Sequence, residues 1–191
     1  MKPVRMCRSF RPDPVDVAAL DRVLDAGRRA PAAGNAVEAR AFVVLSEPAA
    51  YWSVALPDPS GFRFPGLLAA PVLVVLCVSP DAYAARYAEP DKGRGPTLGR
   101  GAAAWPQPFW WFDAGTAAQA MLAAAAEEGL GACLFGLFER EVPVLDALGV
   151  PAGWRGAGVI ALGHAAEEQP PGRSAARKRA SLEEVVHHDH W

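Results

Sequence analysis

The stretch from Asp113 to Glu128 constrains this chain more than any other. It is rich in alanine and leucine, apolar nearly all the way round at helical spacing, and closed by Gly129-Leu130-Gly131 in the manner of a helix ending. A helix with so little polar face exposes apolar area wherever water reaches it, so it is expected at the centre of the fold. The chain has 191 residues, enough for one domain with a real core and too few for a second enzyme domain. Its 51% hydrophobic and 21% charged residues are the composition of a globular chain, not of a solvated disordered one.

Around that helix the pattern mixes α and β. Asp16 is placed to cap a helix whose apolar positions Val17, Leu20, Val23 and Leu24 recur at three- and four-residue spacing before Pro31. Ala41–Leu45 and Pro71–Val78 read as strands, the second continuous enough to be buried on both faces. Ala132–Phe138 and Gly156–Gly163 read as two more, separated by a helical segment near Glu139–Leu148. The expectation is a single domain over residues 1–191, with a mobile Gly- and Pro-rich loop at about 89–112 and a C-terminal tail at about 170–191. Trp105, Phe109, Trp110 and Trp111 sit in that loop, and such aromatics must pack on core, on a partner or over a ligand. The sequence leaves these choices open.

Several functions are disfavoured. A formal net charge of -2 and a pI near 6.1 provide no general field for nucleic acid or an anionic membrane. The longest apolar stretches, Gly66–Val78 and Ala114–Ala126, fall short of the about 20 residues a spanning helix needs, so no membrane span is expected. Met1-Lys2-Pro3-Val4-Arg5 does not read as a secretory signal, and a cytoplasmic protein is expected. Cys7, Cys77 and Cys133 are odd in number and far apart, which suggests neither a disulfide framework nor a zinc site. His187-His188-Asp189-His190 are adjacent residues that splay apart, so no metal site is assigned. Hydrolase elbows, zinc-protease motifs and Walker loops are missing, and Gly93-Arg94-Gly95 and Gly99-Arg100-Gly101 lack the strand that would make them phosphate cradles.

What remains is charge at the two ends. Residues 1–40 hold eight Lys or Arg against five acids, and Arg173, Arg177, Lys178 and Arg179 cluster near the C-terminus. Two such clusters either converge on one phosphate or form separate solvated faces. With no evident nucleophile or acid/base pair, the residues suit a protein whose cofactor carries the chemistry.

Four segments, in order, resemble the nitroreductase family. Arg5-Met6-Cys7-Arg8-Ser9-Phe10 is similar to the family's opening R-S-x-R-x-F, and Arg29-Ala30-Pro31-Ala32-Ala33-Gly34-Asn35 to its A-P-S-x-x-N. Asp113 through Gly136 looks like its central helix and following strand, and Arg177-Lys178-Arg179 with Leu182-Glu183-Glu184-Val185-Val186-His187 like its closing basic pair and L-x-x-V-V-H. The resemblance implies an α+β three-layer α/β/α sandwich with a mainly antiparallel central sheet, in an intertwined homodimer with FMN between the subunits. It implies that Arg5, Arg8, Arg177 and Arg179 hold the cofactor, that Asn35 bonds the flavin ring, and that main-chain N–H groups at Phe135 and Gly136 face it. Met6 stands where the family has serine and leaves its backbone N–H to the phosphate site; Ala36–Arg40 stands where the family has Q-P-W.

The implied activity is transfer of two electrons from NAD(P)H through FMN to a flat, electron-poor acceptor such as a nitroaromatic or quinone, in a pocket shaped by Trp105, Phe109 and Trp110. A flavin dehydrogenase or oxidase acting on one metabolite, and a flavin-binding module without turnover, are the alternatives.

Overall fold

The computed structural model describes residues 4–92, 97–172 and 174–191. Gly93-Arg94-Gly95, Lys2 and Arg173 lie outside the described residues.

Four strands, β1 (Arg40–Leu45), β2 (Val72–Val78), β3 (Gly131–Phe135) and β4 (Arg155–Gly163), form one antiparallel sheet in the order β1-β2-β4-β3. β2 is buried along its whole length, as its continuous apolar run predicts. Its alternate residues feed two cores. Val72, Val74 and Leu76 face helices α1 (Val17–Arg29) and α4 (Phe109–Glu127), together with Ile160 and Leu162 of β4. Leu73, Val75 and Cys77 face the other way, with Val159 and Ala161, onto Tyr51 of α2 (Ala49–Ala55) and Val144 and Leu145 of α5 (Glu141–Ala147). The period of two in a strand thus produces the three layers. A register shift between Leu76 and Cys77 pairs them with Gly158 and Gly156, so Ala157 is the extra residue of a bulge.

Asp16 caps α1, its Oδ1 accepting the Ala19 N–H at 2.9 Å. Val23 is fully buried against Met121 of α4, and a Cβ at Gly27 would collide with the Met121 side chain, so that glycine sets how close the two helices lie. Three further helices were not expected, the shortest being Leu182–Val185 in the tail. Ser79 caps α3 (Pro80–Tyr87) by accepting the Ala82 N–H, with Pro80 in its first turn; cap followed by proline is a legible start signal. α2 has no side-chain cap and starts without one.

Two boundaries and one expectation of burial are corrected. α4 begins at Phe109, a turn before Asp113, because Trp110 packs into a cluster with Tyr83 and Trp105 and draws the aromatic run into the helix. β3 stops at Phe135 rather than Phe138, whose φ of 48° is incompatible with an extended strand. α4 is central on one face only: Ala114, Ala117, Ala118, Met121 and Ala125 are buried, whereas Phe112 is 62% exposed and lies in a trough with Gly115, Gln119 and Ala123.

Candidate functional site

The N-terminal arm reaches the site by lying along the outer edge of β3. Met6 bridges to Ala132 in parallel register, and the Cys7 N–H donates to the Ala132 carbonyl at 2.8 Å. Phe10 is buried, its N–H bonded to the Gly66 carbonyl at 3.0 Å, and Arg11 bonds the His164 carbonyl at 2.9 Å. Gln169, from the start of the tail, completes the arm's backbone pairing. Its Oε1 accepts the N–H groups of Arg8 at 2.8 Å and Ser9 at 3.3 Å, while its Nε2 donates to the Ser9 carbonyl at 2.6 Å. One side chain therefore ties the two ends of the chain together at Arg8. Nothing in the sequence singles out this glutamine, since the pairing exists only after folding.

Two cavities meet at that arginine. A cleft of about 830 Å³ is lined by Arg5, Met6, Arg8 and Arg179, by Gly129–Ala132 and by the tail from Gln169 to Gly172. The two basic clusters thus converge, through Arg5 and Arg8 from one and Arg179 from the other. Arg177 is exposed and is not part of this wall. A second cavity of about 540 Å³ is lined by Arg8, Trp52, Phe62, Phe64, Phe135 and Gly136 among others. Its walls are mostly apolar and rich in aromatics: Trp52 stacks on Phe135 with centroids 5.7 Å apart, and the Arg8 guanidinium lies over the Phe64 ring at 5.4 Å. Phe62, Phe64 and Trp52 were not singled out in the sequence; they lie in a stretch with no motif.

Burial pushes the thiols of Cys7 and Cys133, at the edge of β3, above their ordinary pKa. They stay protonated and offer neither nucleophile nor charge. All three cysteines are free and buried. Among the described residues there is no cluster of side chains able to hold a metal ion, and no helix is long and apolar enough to cross a membrane.

The remaining expected residues lie elsewhere. Asn35 is exposed in a turn with φ of 57° and belongs to neither cavity's wall. Trp105 and Trp110 are largely buried, and Trp105 shows an edge, with Phe109, to a cavity of about 120 Å³ beside Ala33. Both tryptophans are 8% exposed, packed with the fully buried Tyr83, and the Trp105 Nε1 donates to the Leu98 carbonyl at 3.0 Å. They take the core option that the sequence left open, because burying two indoles is worth more than displaying them. Phe109 alone keeps surface, 41% exposed and stacked on Phe112 at 5.2 Å. The hydroxyl of Tyr83 donates to the buried Asp113 carboxylate at 2.7 Å. Burial first, and that carboxylate second, raise the tyrosine pKa far above its ordinary range.

Several solved structures share this fold. The hypothetical oxidoreductase YcnD from Bacillus subtilis aligns with a TM-score of 0.72 at 23% identity, over 98% of this chain and 71% of its own. An FMN-dependent nitroreductase from Clostridium difficile aligns with a TM-score of 0.68 at 19% identity, over 98% and 95%. A protein provisionally described as a nitroreductase, from Desulfovibrio desulfuricans and in complex with FMN, aligns with a TM-score of 0.70 at 22% identity, over 98% and 93%. The chain belongs to the nitroreductase family, whose model matches residues 4–164. No curated protein matches the sequence.

Proposed function

We propose that this protein binds FMN and transfers two electrons from NAD(P)H to a flat, electron-poor acceptor such as a nitroaromatic or quinone. The observation that carries the reading is that Arg8 lines both cavities, joining a basic cleft to an aromatic one. A phosphate dianion favours arginine, whose fork gives two charge-assisted hydrogen bonds, and a flat ring system favours apolar and aromatic walls. The donor set therefore fits the cofactor.

In this reading Arg5 and Arg179 hold the phosphate, with Arg177 reaching it from the tail. Arg8 stands between phosphate and rings. Main-chain N–H groups at Phe135 and Gly136, at the end of β3, hold the ring system against the walls of Trp52, Phe62 and Phe64. Bound there, FMN supplies the redox chemistry by taking two electrons from a reduced nicotinamide and passing them to the acceptor. The chain's part is binding, orientation and exclusion of water; acceptor protons come from solvent, so no dedicated acid is needed. Phe109 is the expected pocket aromatic left to meet an acceptor.

The unit is a homodimer in this proposal. Its support is the uncovered apolar flank of α4, the exposed tail residues Leu182, Val185 and Trp191, and the separation of Asn35 from the arginines within one protomer. A second subunit would cover the first two and bring its own Asn35 to the ring. Three free thiols agree with a cytoplasmic setting.

The test is the visible absorbance spectrum of purified protein, then anaerobic addition of NADPH and NADH. Flavin bands that bleach support the reading and name the donor. Bands that persist with both donors reject NAD(P)H as reductant, and a chain that takes up no FMN on reconstitution rejects the cofactor.

A further inference from the structure

The Ala33–Asn35 turn carries two consecutive residues in a backbone region that few side chains adopt. Gly34 and Asn35 both lie in the left-handed region, with φ of 64° and 57°. Glycine and, less readily, asparagine tolerate it, so this pair can form the turn, and the groups packed around it decide how it is aimed. A Cβ at Gly34 would also meet the Tyr87 ring at 2.6 Å, so that position is closed to any larger residue.

The surroundings hold the turn from three elements. Asp113, 6% exposed on the core side of α4, accepts the Ala33 N–H and the Tyr83 hydroxyl on the same oxygen, each at 2.7 Å. From the far side, the Lys92 ammonium donates to the Gly34 carbonyl at 3.0 Å while lying 5.2 Å over the Tyr87 ring. Arg40 of β1 secures the stem by donating to the carbonyls of Ala30 at 2.8 Å and Pro31 at 3.3 Å. Asn35, at the tip, is exposed, and its side chain makes no hydrogen bond among the described residues. A buried carboxylate and a lysine are thus spent on orienting an asparagine that has no partner of its own.

We propose that Asp113 and Lys92 are positioning residues for flavin recognition, fixing the Ala33–Asn35 turn so that the Asn35 amide meets the ring system already oriented. This rests on the proposed binding of FMN between two subunits, in which the partner's turn meets the ring system, and adds the two anchors that hold that contact. Pre-organisation of this kind acts by removing an ordering cost from binding, so losing it weakens affinity without removing any contact from the cofactor.

The experiment is a fluorescence titration of FMN into the full apo chain for wild type, Lys92→Met, Asp113→Ala, Asp113→Asn and Asn35→Ala, with Lys92→Met repeated in the Asn35→Ala background. Lys92→Met keeps the apolar stem over Tyr87 and leaves the core untouched, so it carries the test if Asp113→Ala fails to fold. Lys92→Met and Asp113→Ala are expected to raise the FMN Kd about tenfold, the size of a lost orientation. Asp113→Asn, whose amide oxygen can accept both bonds, should stay within about threefold. In the Asn35→Ala background Lys92→Met should add nothing, because its effect runs through Asn35; a merely structural role would add in full. An unchanged Kd for Lys92→Met, or full additivity, overturns the inference while leaving FMN binding intact. An unchanged Kd for Asn35→Ala overturns both the inference and the place of Asn35 in the site, and a wild-type chain without FMN affinity overturns the proposed function with them.

Discussion

The Sδ of Met6 accepts the backbone N–H of Leu134 at 3.4 Å. Leu134 lies on the outward edge of β3, where a strand would otherwise present an unpaired donor. In the proposed site a serine at this place would offer a hydroxyl to the cofactor, whereas the methionine closes the sheet edge. Met6→Ser should restore a hydroxyl to the wall of the arginine cleft. A hydrogen bond to a charged partner is worth roughly 1.5 kcal/mol, so the FMN Kd is expected to fall by about tenfold. Fluorescence titration reads it; a weaker affinity would show that the thioether itself supports the site.

Arg8 and Arg179 approach the cleft from opposite ends of the chain. Each removal should weaken FMN binding by about ten- to a hundredfold, the range for a charge-assisted hydrogen bond. Arg8→Ala should be the more damaging, since its guanidinium also lies over Phe64 and lines the aromatic cavity. A chain truncated after Pro171, which lacks Arg179, should behave like Arg179→Ala or worse. Equal affinity of the truncated and full chains would place the phosphate elsewhere.

Trp105 separates packing from ligand contact. Its ring meets the buried Tyr83 and Trp110, the half-buried Tyr87 and the exposed Phe109. Trp105→Ala should cost about 3–5 kcal/mol of stability, the usual penalty for deleting a large buried aromatic. Thermal and denaturant unfolding will show it. Full stability with a changed KM for the acceptor would return Trp105 to the pocket.

Glu141 links α5 to β4. Its carboxylate takes both Arg155 donors, at 2.6 and 2.9 Å, and the Gly156 N–H at 2.9 Å. Hydrogen bonding from Arg155 is the main reason its pKa is lowered below the ordinary 4.5. A carboxylate lowered on folding contributes stability above its unfolded value and loses it as pH falls through the folded one. The wild type should therefore lose stability below about pH 4.5, and Glu141→Gln should be less stable at neutral pH with a shallower acid limb. Parallel acid limbs for the two proteins would show that the pair contributes nothing.

The sequence by itself determined the parts of the fold that follow from local chemistry. The Asp16 cap, the apolar spacing of α1 and the unbroken run of β2 state their own structure, since each depends on neighbours a few residues away. The ordered motifs were enough to point to the family and to Arg5, Arg8 and Arg179, because basic residues at both ends form a pattern visible along the chain. Tertiary structure decided whatever depends on residues distant in sequence. It put Trp105 and Trp110 in a buried aromatic cluster, brought Gln169 onto the backbone of Arg8, and set Asp113 against Ala33. The last two satisfy polar groups with partners 161 and 80 residues away. Only the packed chain brings those partners within hydrogen-bond distance, so no local pattern could announce them.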